Sequence, residues 1–443
     1  MIHSPKIKQF LLFLGDIAIL YVSLILTLIV RYGTLSPFGA DHFAPFSIVF
    51  VFWLLIFYIS GFYELRDLRN DKEFRKRFLA GLAVSFLLAI AFFYFAPGFE
   101  ITPKTNLFLF LVLFGSLAHW WRTVVNTLMS SGSSHKRILL VGTSATTKET
   151  FDYLSTHPQL GYEVRHWIKN DADILDSKNL FEIIKSEKIN LIVVPAHLKK
   201  DSKTTKLLYI YLGSGIEVID LATLYGFLFQ RVPIAELEEV WFLENLAIDR
   251  SFHDAVQRPF EIILSLILGT IFLPLGVLLI ILIKATSSGS AFFTQTRIGK
   301  HGRKFTLWKF RTMPIDAEQN GPAWSGPNDR RPTKIGKILR QTHLDELPQL
   351  WNILKGDLSL VGPRPERPEF TEVLSKEIPF FELRNLVRPG LTGWAQINYR
   401  YGSSTSDSYK KLEYDIFYLK NRSIMLDLII LVRTIKRLFI PAR

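Results

Sequence analysis

Four apolar stretches near the N-terminus constrain this chain more than any other feature: Phe10–Val30, His42–Phe62, Phe78–Ala96 and Leu107–Val125. Each is long enough to cross a hydrocarbon core, which takes about 20 residues as a helix. A backbone in lipid must satisfy its own N–H and C=O groups, so runs of this kind fold as helices. The spacing predicts an N-terminal four-helix membrane bundle over residues 1–129. The connection Leu65–Arg77 holds Arg66, Arg69, Lys72, Arg75, Lys76 and Arg77, whereas Tyr32–Asp41 and Pro97–Lys104 are nearly free of basic residues. The positive-inside tendency then puts the N-terminus and Leu65–Arg77 in the cytoplasm, and an even number of spans returns the chain there near Ser130. No small-residue cleavage site follows the first run, so it reads as a retained helix. Asp16 inside that run is costly in lipid and is expected to face a neighbouring helix.

At 443 residues, two or three units are expected. The formal charge of +13 is clustered. Because most basic residues flank apolar runs, they suit anionic lipid or nucleotide phosphates, and nucleic acid is not expected as a partner. The absence of cysteine excludes disulfides and thiolate metal sites.

Ser130–His135 is a linker by composition. Beyond it, Arg137–Gly142, Tyr162–Ile168, Asn190–Pro195 and Ile216–Leu221 read as strands, with helices at Thr147–Thr156 and Leu180–Lys188. This alternation predicts a Rossmann-like α/β middle domain, residues 130–250. Its first turn, Gly142 to Thr147, carries one glycine where a dinucleotide fingerprint needs three. A structural or regulatory role is therefore expected of it.

A fifth apolar stretch, Phe260–Ile283, follows Arg258-Pro259 and precedes Lys284. A full crossing would carry the remaining residues away from the cytoplasm. Gly269, Pro274 and Gly276 lie near its middle, and proline removes a helical hydrogen bond. The expectation is a re-entrant helix–break–helix over about 259–284.

The C-terminal part holds the chemistry. Phe305–Arg311 reads as a strand with Lys309 and Arg311 projecting to one side, where two cations can hold a pyrophosphate. Asn328–Gly336 is a turn-rich loop leading to a short helix, Lys337–Thr342. On a continuous helix, Arg340 would stand a little over one turn from Asp345. Asp345 and Glu346 sit among Leu344, Leu347, Leu350, Trp351 and Ile353, close to a buried face. Gly362-Pro363-Arg364-Pro365 is a rigid turn holding one guanidinium. Ser408–Lys420 and Ile424–Phe439 are amphipathic, and the second carries Arg433, Lys436 and Arg437, which suits an interfacial helix.

These motifs resemble the bacterial sugar transferases, the polyprenyl-phosphate hexose-1-phosphate transferases or large monotopic phosphoglycosyl transferases. The matching pieces are Gln295–Gly299, Lys309–Met313, Leu344–Leu350, Leu360–Pro365 and Arg388–Trp394, in that order, within about Asp254 to the C-terminus. One departure is local: the family's Asp-Pro-Arg-Ile-Thr becomes Asp329-Arg330-Arg331-Pro332-Thr333.

The resemblance implies an α/β monotopic phosphoglycosyl transferase domain, residues 251–443, on the cytoplasmic face of a bacterial inner membrane. It implies transfer of a hexose 1-phosphate from a UDP-sugar to undecaprenyl phosphate, releasing UMP and initiating exopolysaccharide, capsule or O-antigen synthesis. By resemblance, Asp345 is the nucleophile and forms an aspartyl-phosphosugar. Glu346 beside it holds Mg²⁺, a hard cation that takes carboxylate and phosphate oxygens. Lys309, Arg311, Arg340, Arg364 and Arg388 supply a positive clamp for the substrates. The sugar, galactose or glucose by resemblance, and a homodimeric assembly are left open.

Two rival readings remain to be weighed. A nucleotide-sugar dehydratase or epimerase would need a Tyr-x-x-x-Lys pair, and no tyrosine here has a lysine four residues later. A membrane scaffold with an inactive transferase domain is opposed by the intact Asp-Glu, Lys-Phe-Arg-Thr-Met and Gly-Pro-Arg-Pro motifs.

Overall fold

The computed structural model describes residues 5–34, 42–64, 70–95, 104–130, 136–170, 174, 177–246, 251–286, 289–314, 317, 331–399, 402 and 404–439. The chain divides into two units, Met1–Leu221 and Ala222–Arg443. The expected linker 131–135, Arg66 and Arg69, and Asn328 to Arg330 of the turn-rich loop lie outside the described residues.

The first unit opens with helices α1 (Pro5–Tyr32), α2 (Phe43–Ile59), α3 (Lys72–Phe95) and α4 (Lys104–Ser130). Three of them contain spans long and apolar enough to cross a membrane, and α2 is a shorter apolar helix of 17 residues. Phe46, Phe50, Trp53, Phe57, Phe110 and Phe114 are buried and fill the space between α2 and α4. Lipid cannot drive apolar helices together as water does, so close ring packing and polar contacts hold such helices. Asp16 does face its neighbours. Its Oδ2 accepts from Tyr63 Oη at 2.7 Å and pairs with Arg122, whose guanidinium also lies over the rings of Phe62 and Tyr63.

A four-stranded parallel sheet follows, ordered β2-β1-β3-β4: β1 Lys136–Val141, β2 Tyr162–Ile168, β3 Leu191–Val194 and β4 Glu217–Asp220. Helices α5 (Ala145–Thr156), α6 (Ser177–Ser186), α7 (Ala196–Lys200) and α8 (Ser202–Leu212) connect them. β3 is buried along its whole length, as a parallel strand covered on both faces must be. At the turn after β1, Trp167 Nε1 donates to Gly142 O at 2.8 Å. A Cβ on Gly142 would sit 3.0 Å from Pro195 Cγ.

The second unit begins with α9 (Leu221–Phe229) and α10 (Glu239–Leu246). Val232, Ile234 and Phe242 from this segment share a core with Leu374, Phe381, Leu412 and Ile416. Then come α11 (Ser251–Thr286), the antiparallel hairpin β5 (Phe292–Ile298) and β6 (Lys304–Phe310), α12 (Lys334–Thr342) and α13 (Gln349–Lys355). The strand β7 (Ser359–Val361), α14 (Pro368–Glu377), β8 (Gly390–Thr392), α15 (Trp394–Asn398), α16 (Thr405–Asn421) and α17 (Ile424–Phe439) complete the unit. β7 and β8 pair in parallel, Ser359 opposite Gly390 and Val361 opposite Thr392.

The fifth apolar stretch corrects one expectation. Residues 251–286 form one uninterrupted helix of 36 residues, with Pro259 and Pro274 inside it. In apolar surroundings, opening a full turn would strand several backbone polar groups, whereas proline forfeits a single bond. The two ends of α11 both pack within the second unit. Glu261 and Ser265 are buried near its start, and Leu264 joins a core with Leu307 and Ile353. Leu279 and Ile283 join another core with Phe310 and Leu339. Between them Leu266, Ile267, Ile271, Leu273, Val277 and Leu278 are exposed.

A re-entrant course would put both ends of α11 on one side of the bilayer. In a chain with no native cysteine, Phe252→Cys and Lys284→Cys are both expected to react with an impermeant thiol reagent from the same side. Labelling from opposite sides would mean that α11 crosses.

Candidate active site

The site begins where α12 ends. Thr333 caps its start, accepting from Gly336 N at 3.0 Å. Gly336 packs so closely on the segment after β6 that a Cβ would lie 2.0 Å from Thr312 O, so no larger residue fits there. At its other end His343 takes a left-handed conformation, φ 56° and ψ 15°, and stops the helix. The chain restarts as a tight turn, Leu344–Glu346, and runs on through Leu347 and Pro348 into α13. Arg340 and Asp345 are therefore not on one continuous helix, contrary to the sequence expectation. Arg340 instead donates from Nε to Thr312 Oγ1 at 3.0 Å, and against the rise that burial imposes on the Asp345 carboxyl its charge is a minor opposing pull.

Asp345 and Glu346 open this new helical run, where the backbone dipole favours anions. Glu346 Oε1 accepts from Lys309 Nζ at 2.9 Å and from Arg364 Nη2 at 2.7 Å. Burial alone would push the Glu346 carboxyl up, but Arg364 and Lys309 outweigh it and hold the group far below the ordinary carboxylate range. Asp345 goes the other way: burial raises it, with Lys309 pulling against. Neighbouring carboxylates are thus driven apart, one ionised throughout and one more basic.

Lys309 arrives from β6, whose edge is latched to α13 by Asn352. That side chain donates to Thr306 O at 2.7 Å and accepts from Trp308 N at 3.0 Å. Arg364 arrives from the turn after β7. There Gly362 and Gly390 interlock, since a Cβ on Gly390 would fall 2.1 Å from Gly362 N. The turn is then held from three directions. Arg297 Nη1 donates to Pro365 O at 3.1 Å, Ile298 N to Glu366 O at 2.9 Å, and Arg384 Nη2 to Arg364 O at 3.0 Å. Arg384 is itself anchored by Asp415 on α16, 2.8 Å from Nη2.

Of the residues expected in the clamp, Lys309 and Arg364 meet Glu346, and Arg340 lies nearby. Arg311 falls just beyond β6, with its Nε buried and unpartnered among the described residues. Arg388 goes elsewhere. Its Nη1 pairs at 2.9 Å with Glu261 of α11, and it lines a polar cavity of about 150 Å³ with Gln257, Ser359 and Tyr418. Glu261 also accepts from Ser359 Oγ and from Leu360 N, so it ties α11 to β7. Glu261 and Arg384 were not singled out from sequence, where Glu261 reads as a charge at the edge of an apolar run.

Among the described residues no group of three or more His, Cys, Asp or Glu could hold a metal ion. Glu346 is a hard oxygen donor of the kind Mg²⁺ takes one or two at a time, its shell otherwise filled by substrate phosphates and water.

A partly buried carboxylate with two cations on it and a more basic, buried carboxylate next door define a site for phosphate chemistry, in a chain rich in membrane-type helices. The family model for bacterial sugar transferases matches residues 252–441. A UDP-glucose:undecaprenyl-phosphate glucose-1-phosphate transferase of Caulobacter vibrioides is 40% identical over 187 residues, 42% of this chain and 70% of the relative. One of the same name from Klebsiella pneumoniae is 28% identical over 386 residues, 82% of this chain and 81% of the relative. A UDP-N-acetylgalactosamine-undecaprenyl-phosphate N-acetylgalactosaminephosphotransferase of Aeromonas hydrophila is 42% identical over 181 residues, 41% of this chain and 43% of the relative. The chain belongs to the bacterial sugar transferase family, the polyprenyl-phosphate sugar-1-phosphate transferases.

The brace behind Arg364 titrates. Burial pushes Asp415 from 3.8 up to about 6, with Arg384 opposing and Glu366 adding to the rise. The folded value exceeds the ordinary one, so this group favours the fold most when protonated, and that contribution fades as pH rises through about 6. The ion pair with Arg384 exists only above that value. Turnover is therefore expected to fall as pH drops through about 6. Asp415→Asn should lower activity about 10-fold, through misplacement of Arg364, and abolish that acid limb in a pH–rate profile. An unchanged limb would assign it to another group.

Proposed function

We propose that the protein transfers a hexose 1-phosphate from a UDP-sugar to undecaprenyl phosphate through a covalent aspartyl-phosphosugar. The opposed ionisation of Asp345 and Glu346 carries this reading. A nucleophilic carboxylate benefits from basicity, and Asp345 is the more basic of the two. An Asp345 oxygen attacks the sugar-bearing phosphorus. The bond from that phosphorus to the bridging oxygen breaks, and UMP leaves with the electron pair. An oxygen of the lipid phosphate then attacks the same phosphorus. The acyl phosphate bond breaks, Asp345 regains its carboxylate, and a lipid-linked sugar diphosphate results.

Glu346 stays anionic throughout, positions Lys309 and Arg364 through its Oε1, and would hold Mg²⁺ with the donor diphosphate. When bound, Mg²⁺ supplies neutralisation of phosphate charge. Arg311 and Arg340 are assigned to the substrate phosphates. Arg388 is assigned to the lipid-proximal side, since it pairs with Glu261 at the start of α11.

The membrane arrangement supports the same reading. Both ends of α11 pack in one unit and its middle is exposed, which supports a helix seated in one leaflet with the site at the membrane surface. A water-soluble nucleotide sugar and a buried lipid phosphate can both reach such a site. The cytoplasmic face of the inner membrane is the side where Leu65–Arg77 places its cations. The parallel sheet of the first unit runs β2-β1-β3-β4, one of the doubly-wound orders. Its first turn carries one glycine where a dinucleotide fingerprint needs three, which favours a structural or regulatory role over nucleotide binding. The relatives' names divide between UDP-glucose and UDP-N-acetylgalactosamine as donors.

Incubating the purified protein with undecaprenyl phosphate, Mg²⁺ and each of a panel of UDP-sugars is expected to release UMP with at least one donor. Asp345→Asn should lose this activity by more than about 10³-fold and form no phosphosugar-labelled protein. Label retained on that variant would move the nucleophile to another residue.

A further inference from the structure

We propose that Gln349 is a further catalytic residue, its side-chain amide donating to a non-bridging oxygen of the phosphoryl group that Asp345 attacks. Gln349 is 3% exposed, and its Nε2 has no hydrogen-bond partner among the described residues. Buried polar atoms are almost always paired, so a buried free donor calls for a partner that arrives later.

Its place on the chain points to that partner. Residues 344–355 are right-handed helical throughout, including Leu347 (φ −52°, ψ −39°) and Pro348 (φ −61°, ψ −15°). Asp345, Gln349, Asn352 and Ile353 are buried, whereas Trp351 is exposed, so the first four share the inward face. Four residues separate Gln349 from Asp345, about one helical turn. Helical side chains lean toward the N-terminus, so a residue covers the turn before its own. The Gln349 amide therefore leans toward Asp345.

Asn352 gives the contrast. It is equally inward, yet both ends of its amide are used by β6, at Thr306 O and Trp308 N. One amide of this face is structural and the other is unspent. Chemistry gives the unspent one a use. Charge in phosphoryl transfer spreads over three equatorial oxygens, while Lys309 and Arg364 already lie on Glu346. A neutral N–H can stabilise such an oxygen without adding positive charge beside Asp345, which would make its carboxylate less basic.

The inference rests on the Asp345 reading, so the test separates the two. Full-length wild type, Asp345→Asn, Gln349→Met and Gln349→Glu are assayed for UMP release with undecaprenyl phosphate, Mg²⁺ and the active UDP-sugar. Gln349→Met keeps the side-chain length and removes the donor. It is expected to lower kcat about 10- to 100-fold, with KM for the donor changed less than about 3-fold and Tm unchanged or raised, because an unpaired buried donor is gone. Gln349→Glu replaces the donor by an acceptor and should lose at least as much. Activity within about twofold of wild type in either folded variant overturns the proposal. So does a kcat loss that comes with a lowered Tm in both, which assigns Gln349 to packing. An inactive wild type or an active Asp345→Asn overturns the parent reading and this one together. Wild-type-like Gln349→Met beside an inactive Asp345→Asn overturns this one alone.

Discussion

The partly buried carboxylate of Glu346, held between Lys309 and Arg364, is the interaction on which the catalytic unit depends. Burying a carboxylate is costly unless cations meet it, and removing one partner strands the rest. Its two cations come from distant parts of the chain, one from a hairpin and one from the turn after β7. Much of the surrounding structure serves to bring them together. Asn352 latches the hairpin to α13, the Gly362–Gly390 contact lets two turns interlock, and Arg297 and Arg384 hold the carbonyls that flank Arg364. A well-packed apolar cluster would stabilise this unit as well or better, so the ion cluster reflects chemistry more than stability.

Glu261 does for the membrane helix what Glu346 does for the site. It is 1% exposed, and it binds Ser359, the Leu360 amide and Arg388. That links the start of α11 to β7, and β7 leads within a few residues to Arg364. The position of α11 and the placement of the guanidinium are thereby joined through one short strand. An enzyme that must meet a soluble donor and a membrane-held acceptor gains from such a rigid connection, since misplacement of a substrate by about 1 Å is expensive in rate.

The departures from sequence expectation share one cause. Local rules describe what a segment prefers, and the neighbours decide what it does. Pro274 would end a helix in water; flanked by apolar residues, α11 continues through it. His343 carries no glycine-like signal, yet it takes the left-handed conformation that ends α12 and turns Arg340 away from the line of Asp345. Arg388 reads as one more cation in a conserved-looking motif until its partner is seen to be Glu261, 127 residues earlier and on a different element.

The sequence by itself determined the elements and the chemistry types. Apolar runs dictated membrane helices, alternating patterns dictated the parallel sheet, and the Asp345-Glu346 pair with ordered basic motifs pointed to phosphate transfer. These are legible because hydrophobic period and residue chemistry are local properties. Only the tertiary structure decided the division of labour. It chose which cations meet Glu346, set the two carboxylates' ionisation apart, left the Gln349 amide unspent while using that of Asn352, and braced Arg364 from Arg384 and Asp415. Such outcomes depend on burial and on charges within a few ångströms across long stretches of chain, and neither quantity is written in local sequence.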